Sequence, residues 1–368
     1  MEHKHALRRL AMLALFLGTL VVAAGLGRAA DAGDYAYMNE YPLRAEEGWL
    51  GGAPEDIVAA GPGHVWFTLP ESDQVGELTV SPDSYDFNYY QLDPGSSPAG
   101  IAYANEAAWV TARGTNKLLR IKPGDPVDEW PLPPGSSQPA GIAASPTGNL
   151  WIAATGSNQV LRFEPSSGTF EAYDYTTDNA GITDIAVYND EETVYFTAEN
   201  LDMVVLLTPW RYPTSAFTPL LLIDGYTGTI IGRPGQLAVS SAGRLWVVAV
   251  ERDWLGYFAP GTTQIWRWVE VVPTGTELFG LALSAMGSKD FVWFTLPEAG
   301  SVGVQERNAQ GALLTRYYHI PTAGSVPRSI AVDSTNHAWI AVAGSNLIAE
   351  WIPPYSQLIS LPLISNNS

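Results

Sequence analysis

The sequence predicts an all-β fold, a seven-bladed β-propeller with four antiparallel strands per blade. Two observations carry that expectation. One pattern recurs seven times, each copy centred on an aromatic residue: Trp66, Trp109, Trp151, Tyr195, Trp246, Trp293 and Trp339. The intervals are 43, 42, 44, 51, 47 and 46 residues, the length of one four-stranded blade with loops that stretch. The composition agrees. With 35 Gly and 27 Pro beside 46% hydrophobic residues, the chain suits many short strands and tight turns around a large core.

Residues 139–168 show the unit most plainly. An apolar strand at 141–144 meets a turn at 145–149 and a second strand around Trp151. A turn at 156–158 and a third strand at 159–163 follow. A short first strand opened by Pro or Gly is expected about ten positions before the aromatic, as in Pro98-Ala-Gly-Ile101 and Pro327-Arg-Ser-Ile330. Asn116, Asn158 and Asn346 end Gly-Ser/Thr-Asn turns, where Asn tolerates a left-handed backbone. A more polar, alternating fourth strand is expected at 85–92, 169–175, 264–271 and 313–320. Residues 35–43 and 357–364 both read as strands and compete for the outer position of blade 7. Pairing of the chain ends closes a propeller and removes an open edge, so the N-terminal strand is expected to join blade 7. Trp266 and Trp268 share one face of their strand and are expected to cover the neighbouring blade rather than stack on sugars.

Residues 1–32 read as a secretory signal: Lys4, Arg8 and Arg9 precede an apolar run, and Ala30-Asp31-Ala32 offers a cleavage site. An uncleaved signal anchor is the alternative. Residues 33–368 are then one secreted or extracytoplasmic propeller, expected to be monomeric and off the membrane. The net charge is −19; residues 1–32 carry +2, which leaves −21 for the remainder. So acidic a surface argues against nucleic acid and anionic membranes as partners. The expected partner is a small molecule or an extracellular or envelope protein. With no cysteine, disulfides, thiolate metal sites and thiol nucleophiles are excluded.

The pattern Pro-x-Gly-Ile, then Trp-Phe-Thr, then Gly-x-Asn resembles the virginiamycin B lyase (streptogramin lyase) family of seven-bladed propellers. The resemblance spans about 35–364 and is strongest at 98–121, 139–163 and 327–351. It implies elimination at an ester of a cyclic depsipeptide, using Mg²⁺ and a histidine base. It also implies that the residue after the Pro and the residue after Trp-Phe-Thr share one mouth of the channel. The first set reads Glu55, Ala99, Ala140, Thr183, Gly235, Phe279 and Arg328. The second reads Leu69, Ala112, Ala154, Ala198, Ala249, Leu296 and Val342. Neither contains histidine. His3 and His5 lie in the signal, His64 and His337 before second strands at the opposite face, and His319 on an outer strand. A base poised near neutral pH is therefore missing at that mouth, and the expected function is ligand or protein binding without the lyase reaction. The alternative is a metal-dependent lyase, or a lactonase or hydrolase, acting at the acidic mouth.

Candidate ligand-binding residues are Glu55, Glu71, Arg113, Glu199, Glu251, Glu298 and Arg328, with Asp56 and Asp184 beside them. No catalytic residue is assigned. No cofactor is required by this reading, although Glu71 and Glu298, in twin Thr-Leu-Pro-Glu segments, are candidate Mg²⁺ or Ca²⁺ ligands. The competing reading of these carboxylates is a solvated rim on an acidic protein, and no tight metal-binding motif is present.

Overall fold

Sequence periodicity becomes seven four-stranded antiparallel sheets, and in six of them the strands pair in chain order. The computed structural model describes residues 37–188, 193–212, 216–222, 229–258, 266–271, 277–286, 289–307 and 313–353. Blades 1 to 6 span 57–91, 98–131, 139–174, 182–221, 234–270 and 281–319. Blade 7 takes three strands from 327–352, and its outer strand is the N-terminal Tyr37–Pro42. The chain ends thus share one blade, as expected. The predicted signal 1–32 and the strand at 357–364 lie outside the described residues.

First strands of successive blades touch, and that of blade 7 touches blade 1, so they ring a central channel. Each anchor aromatic lies on its blade's second strand and packs with the blade that follows. Trp66 clusters with Ile101 and Val110, Trp151 with Ile185 and Phe196, and Trp339 with Ile57 and Phe67. Large rings fill the wedge between twisted sheets. Trp266 is 3% exposed and stacks on Trp268 within the cluster joining blades 4 and 5, which matches their expected covering role.

The Thr of Trp-Phe-Thr explains its own recurrence. Thr68, Thr111 and Thr295 accept from the backbone N–H of Asp56, Gly100 and Gly280 in their own blades. Each hydroxyl donates to the next blade, to the carbonyls of Ala99 (3.0 Å), Ala140 (2.6 Å) and Arg328 (2.8 Å). One buried hydroxyl therefore satisfies a donor and an acceptor on two blades, polar groups that would be costly to bury unpaired. The Gly of Pro-x-Gly permits the close approach. A Cβ on Gly141 would lie 2.7 Å from the Thr183 carbonyl oxygen. The turn asparagines are left-handed as expected, with φ of 52°, 59° and 51° at 116, 158 and 346.

Candidate functional site: the channel mouth

The start of each first strand and the end of each second strand meet at one mouth of the channel. Register shows this directly, since Pro98 pairs with Ala112, Pro139 with Ala154 and Pro327 with Val342. A cavity of about 300 Å³ opens there, at the small end of the range for ligand sites. All seven residues expected from the first strands line it: Glu55, Ala99, Ala140, Thr183, Gly235, Phe279 and Arg328.

The second set requires correction. Leu69, Ala112, Ala154, Ala198, Ala249, Leu296 and Val342 are buried in the core. The lining residue is the next one along, as at Arg113, Glu199 and Val250. One further step leads away again. Glu71, Glu251 and Glu298 are exposed and outside the cavity lining. Of the candidates read from the sequence, Glu55, Arg113, Glu199 and Arg328 come together, and Glu71, Glu251 and Glu298 do not join them. Arg233, Gln236 and Glu277 line the cavity and were not anticipated. Their signal is positional: Gln236 holds the place of Asp56 and Asp184, while Arg233 and Glu277 immediately precede first-strand openings.

Asp56 and Asp184 occupy the Gly position of Pro-x-Gly and brace the ring. Asp56 accepts from the Ile101 N–H of blade 2 (3.0 Å) and from the Ser329 hydroxyl of blade 7 (2.6 Å). Asp184 accepts from the Leu237 N–H of blade 5 (2.8 Å). Gln236 repeats the device toward the Leu281 N–H of blade 6. Burial pushes the Asp184 carboxyl up to about 7 despite its backbone partners, and the charges of Asp56 and Glu199 add to the rise. Burial likewise raises Asp56, against the hydrogen bond from Ser329. Hydrogen bonds from neutral donors soften the loss of water without replacing a counter-charge.

The rim carries both signs. Arg233 Nη1 lies 3.7 Å from Glu199 Oε2, and Thr183 donates to the other Glu199 oxygen. Arg328 lies over the Phe279 ring, 5.4 Å from its centroid, and Phe279 is 39% exposed. No histidine lines the cavity. Among the described residues no group of three or more His, Cys, Asp or Glu is arranged to hold a metal ion. Glu71 and Glu298, the metal-ligand candidates read from the sequence, lie outside this lining.

The family model described as virginiamycin B lyase family matches residues 19–206. The chain belongs to the virginiamycin B lyase family. Its fold agrees with solved members. A streptogramin B lyase structure superposes with a TM-score of 0.72 at 18% identity, covering 88% of this chain and 100% of that one. Virginiamycin B lyase from Staphylococcus aureus, in a catalytically inactive variant with quinupristin, gives 0.70 at 18%, covering 86% and 99%. Hydrazine synthase from Kuenenia stuttgartiensis gives 0.64 at 10%, covering 83% and 98%, so the architecture is shared well beyond the family. No curated protein sequence matches the chain.

The far end of the blades holds a second set of polar groups. In blade 1, His64 Nε2 lies 2.8 Å from Glu77 Oε1, while Tyr90 (2.8 Å) and Asn88 (3.2 Å) donate to Oε2. Blade 7 repeats it. His337 Nδ1 lies 2.7 Å from Glu350 Oε1, and Tyr41 (2.7 Å) and Asn39 (2.9 Å) donate to Oε2. Burial alone would raise both carboxyls, but the histidine bond first, and the tyrosine bond after it, hold both below the usual range. Tyr41 and Asn39 belong to the N-terminal strand, so Glu350 helps bind it to blade 7.

Proposed function

We propose that this chain is an exported, monomeric propeller whose channel mouth binds a small molecule and does not perform the histidine-based elimination. The observation that supports this is the lining of the mouth. First-strand positions from all seven blades converge on one cavity, and no histidine is among them. The elimination implied by the family resemblance needs a base near neutral pH to take the proton from the carbon next to the one that loses the ester oxygen, and the imidazoles of His64 and His337 are committed to carboxylates at the other end. The test is incubation with a type B streptogramin and Mg²⁺, beside a thermal-shift screen of small molecules. No ring opening and at least one stabilising ligand is the expected result, with stabilisation lost in Ala140→Trp, which fills the cavity. Ring opening at a rate dependent on Mg²⁺ rejects the proposal. Export rests on residues 1–32 and is tested by mass spectrometry of the mature N-terminus.

A second reading has one observation in its favour. Asp184, raised to about 7, is a carboxylate tuned near the range a general base needs. In that reading the mouth is a hydrolase or lyase site with Asp184 in place of imidazole. A pH–rate profile rising through about 7, abolished in Asp184→Asn, supports it; an unchanged rate in that variant rejects it.

A further inference from the structure

The mouth holds opposite charges that do not neutralise one another. Around the ring stand Arg328 on blade 7, Glu55 on blade 1, Arg113 on blade 2, Glu199 on blade 4, Arg233 before blade 5 and Glu277 before blade 6. The sign alternates at every step, and blade 3 alone contributes no charge. Elsewhere among the described residues several basic side chains close onto a carboxylate. Lys117 meets Asp93 and Glu129, Arg120 meets Asp128, and Arg316 meets Glu306. At the mouth only the long Arg233–Glu199 contact forms; among the described residues Arg113, Arg328, Glu55 and Glu277 make no ion pair. The cavity holds them apart.

The hollow is asymmetric. Blades 2 and 3 present Ala99, Gly100, Ala140 and Gly141, which reach no farther than a methyl group. Neither glycine can grow, since a Cβ at Gly100 would lie 2.5 Å from the Ala140 carbonyl oxygen. This small-residue floor lies between Arg113 on one side and Glu199 with Asp184 on the other. A molecule resting on it has a cation at one end and carboxylates at the other. Opposite, the Phe279 ring and the stacked Arg328 guanidinium form a flat wall.

From this arrangement we infer that the ligand is a small zwitterion, its anionic group held by Arg113 and its cationic group by Glu199 and Asp184, with its body across the floor of blades 2 and 3. The inference rests on the small-molecule reading above and adds the ligand's charge pattern. Arg113 is exposed, and Glu199 and Asp184 are half-buried; a dipolar ligand lying across the floor brings each end of the hollow an opposite charge that the protein keeps apart. A net cation or net anion satisfies one end and leaves the other facing a like charge.

Calorimetry at pH 7.5 with three probes tests it: glycyl-phenylalanine, its N-acetyl form and its C-terminal amide. The zwitterion is expected to bind at least about tenfold more tightly than either singly charged form, which corresponds to about 1.4 kcal/mol. Arg113→Gln should reduce the zwitterion to the level of the amide, and Glu199→Gln to the level of the acetylated form. Both variants should keep the parent melting temperature, since neither residue is in the core. Equal binding of all three probes, or an order unchanged by the variants, overturns the inference. Absence of binding by all three at millimolar concentration, with a hit from the thermal-shift screen that Ala140→Trp abolishes, also overturns it and leaves the binding reading standing.

Discussion

Asp184 and Glu350 are carboxylates withdrawn from water in one ring of blades, yet their proton affinities move in opposite directions. Glu350, 3% exposed, has a histidine, a tyrosine and an asparagine on its two oxygens, and is held below the usual range. Asp184 has a backbone N–H from the next blade, with Asp56 and Glu199 as its charged neighbours, and is pushed up to about 7. Burial acts upward on both. The difference lies in the partner: an imidazole that can carry positive charge reverses the effect of burial, and neutral donors do not. At the far end of the blades the charge is completed within the fold. At the mouth Asp184 has neutral donors alone.

The largest expected effect comes from breaking the completed site. Glu350→Ala leaves Tyr41 and Asn39 without their acceptor and His337 without its counter-charge. A loss of about 3–5 kcal/mol, the range for disrupting a buried pair, is expected by denaturant unfolding. The Tyr37–Pro42 strand should then lose amide-exchange protection before the other blades. Equal loss of protection across all blades would separate Glu350 from ring closure.

Asp184→Asn should act in the reverse sense. Asparagine still accepts from the Leu237 N–H but carries no buried charge. At pH 8 this variant is expected to gain about 1–2 kcal/mol over the parent. A decrease at pH 8 would show that the Asp184 charge is matched by an unseen partner.

The pH dependence follows from the same comparison. The folded state holds the Asp184 proton above its ordinary 3.8, so its contribution to stability is full at low pH. It is lost as pH rises to about 7, at no more than about 1.4 kcal/mol per pH unit. Glu77 and Glu350 run the other way: their contribution is present above the ordinary 4.5 and is lost as pH falls through their lowered values. His337 is raised above 6.5 by Glu350, so its share is full below 6.5 and is lost as pH rises through that lifted value. The His337 and Glu350 effects are one interaction seen from both partners and count once. Urea unfolding from pH 4 to 8 should show a negative slope that Asp184→Asn flattens, and acid sensitivity that Glu350→Gln moves. The smallest effect belongs to Arg233→Gln. Its partner is 3.7 Å away and both side chains are partly exposed, so a change under about 0.5 kcal/mol is expected.

Much of the fold was legible because repeats are redundant. Seven aromatic anchors at near-constant spacing place the second strands, and Pro-x-Gly places the first. The mouth was legible to the same depth on the first strand, where the second residue of the opening motif, after Pro in five blades and after Ile182 and Leu278 in blades 4 and 6, lines the cavity. It was misread on the second strand by one residue. Ala112, Ala198 and Ala249 end second strands that are buried throughout, so Arg113, Glu199 and Val250, the first residues past the strand, emerge at the cavity. Glu71, one position farther, is carried away on the turn Pro70–Ser72, and Glu251 and Glu298 share its place in the count. The His–Glu–Tyr–Asn sets were missed because their members lie on strands far apart in sequence, with Asn39 separated from Glu350 by 311 positions.

The sequence by itself determined the number of blades, the residues that wedge them apart and the absence of histidine from the first-strand mouth positions. These are local patterns repeated often enough to be read. Tertiary structure alone decided which carboxylates share the cavity and which are satisfied elsewhere. Those facts depend on where neighbouring blades bring their backbone donors, and on the single residue at which each second strand leaves its sheet.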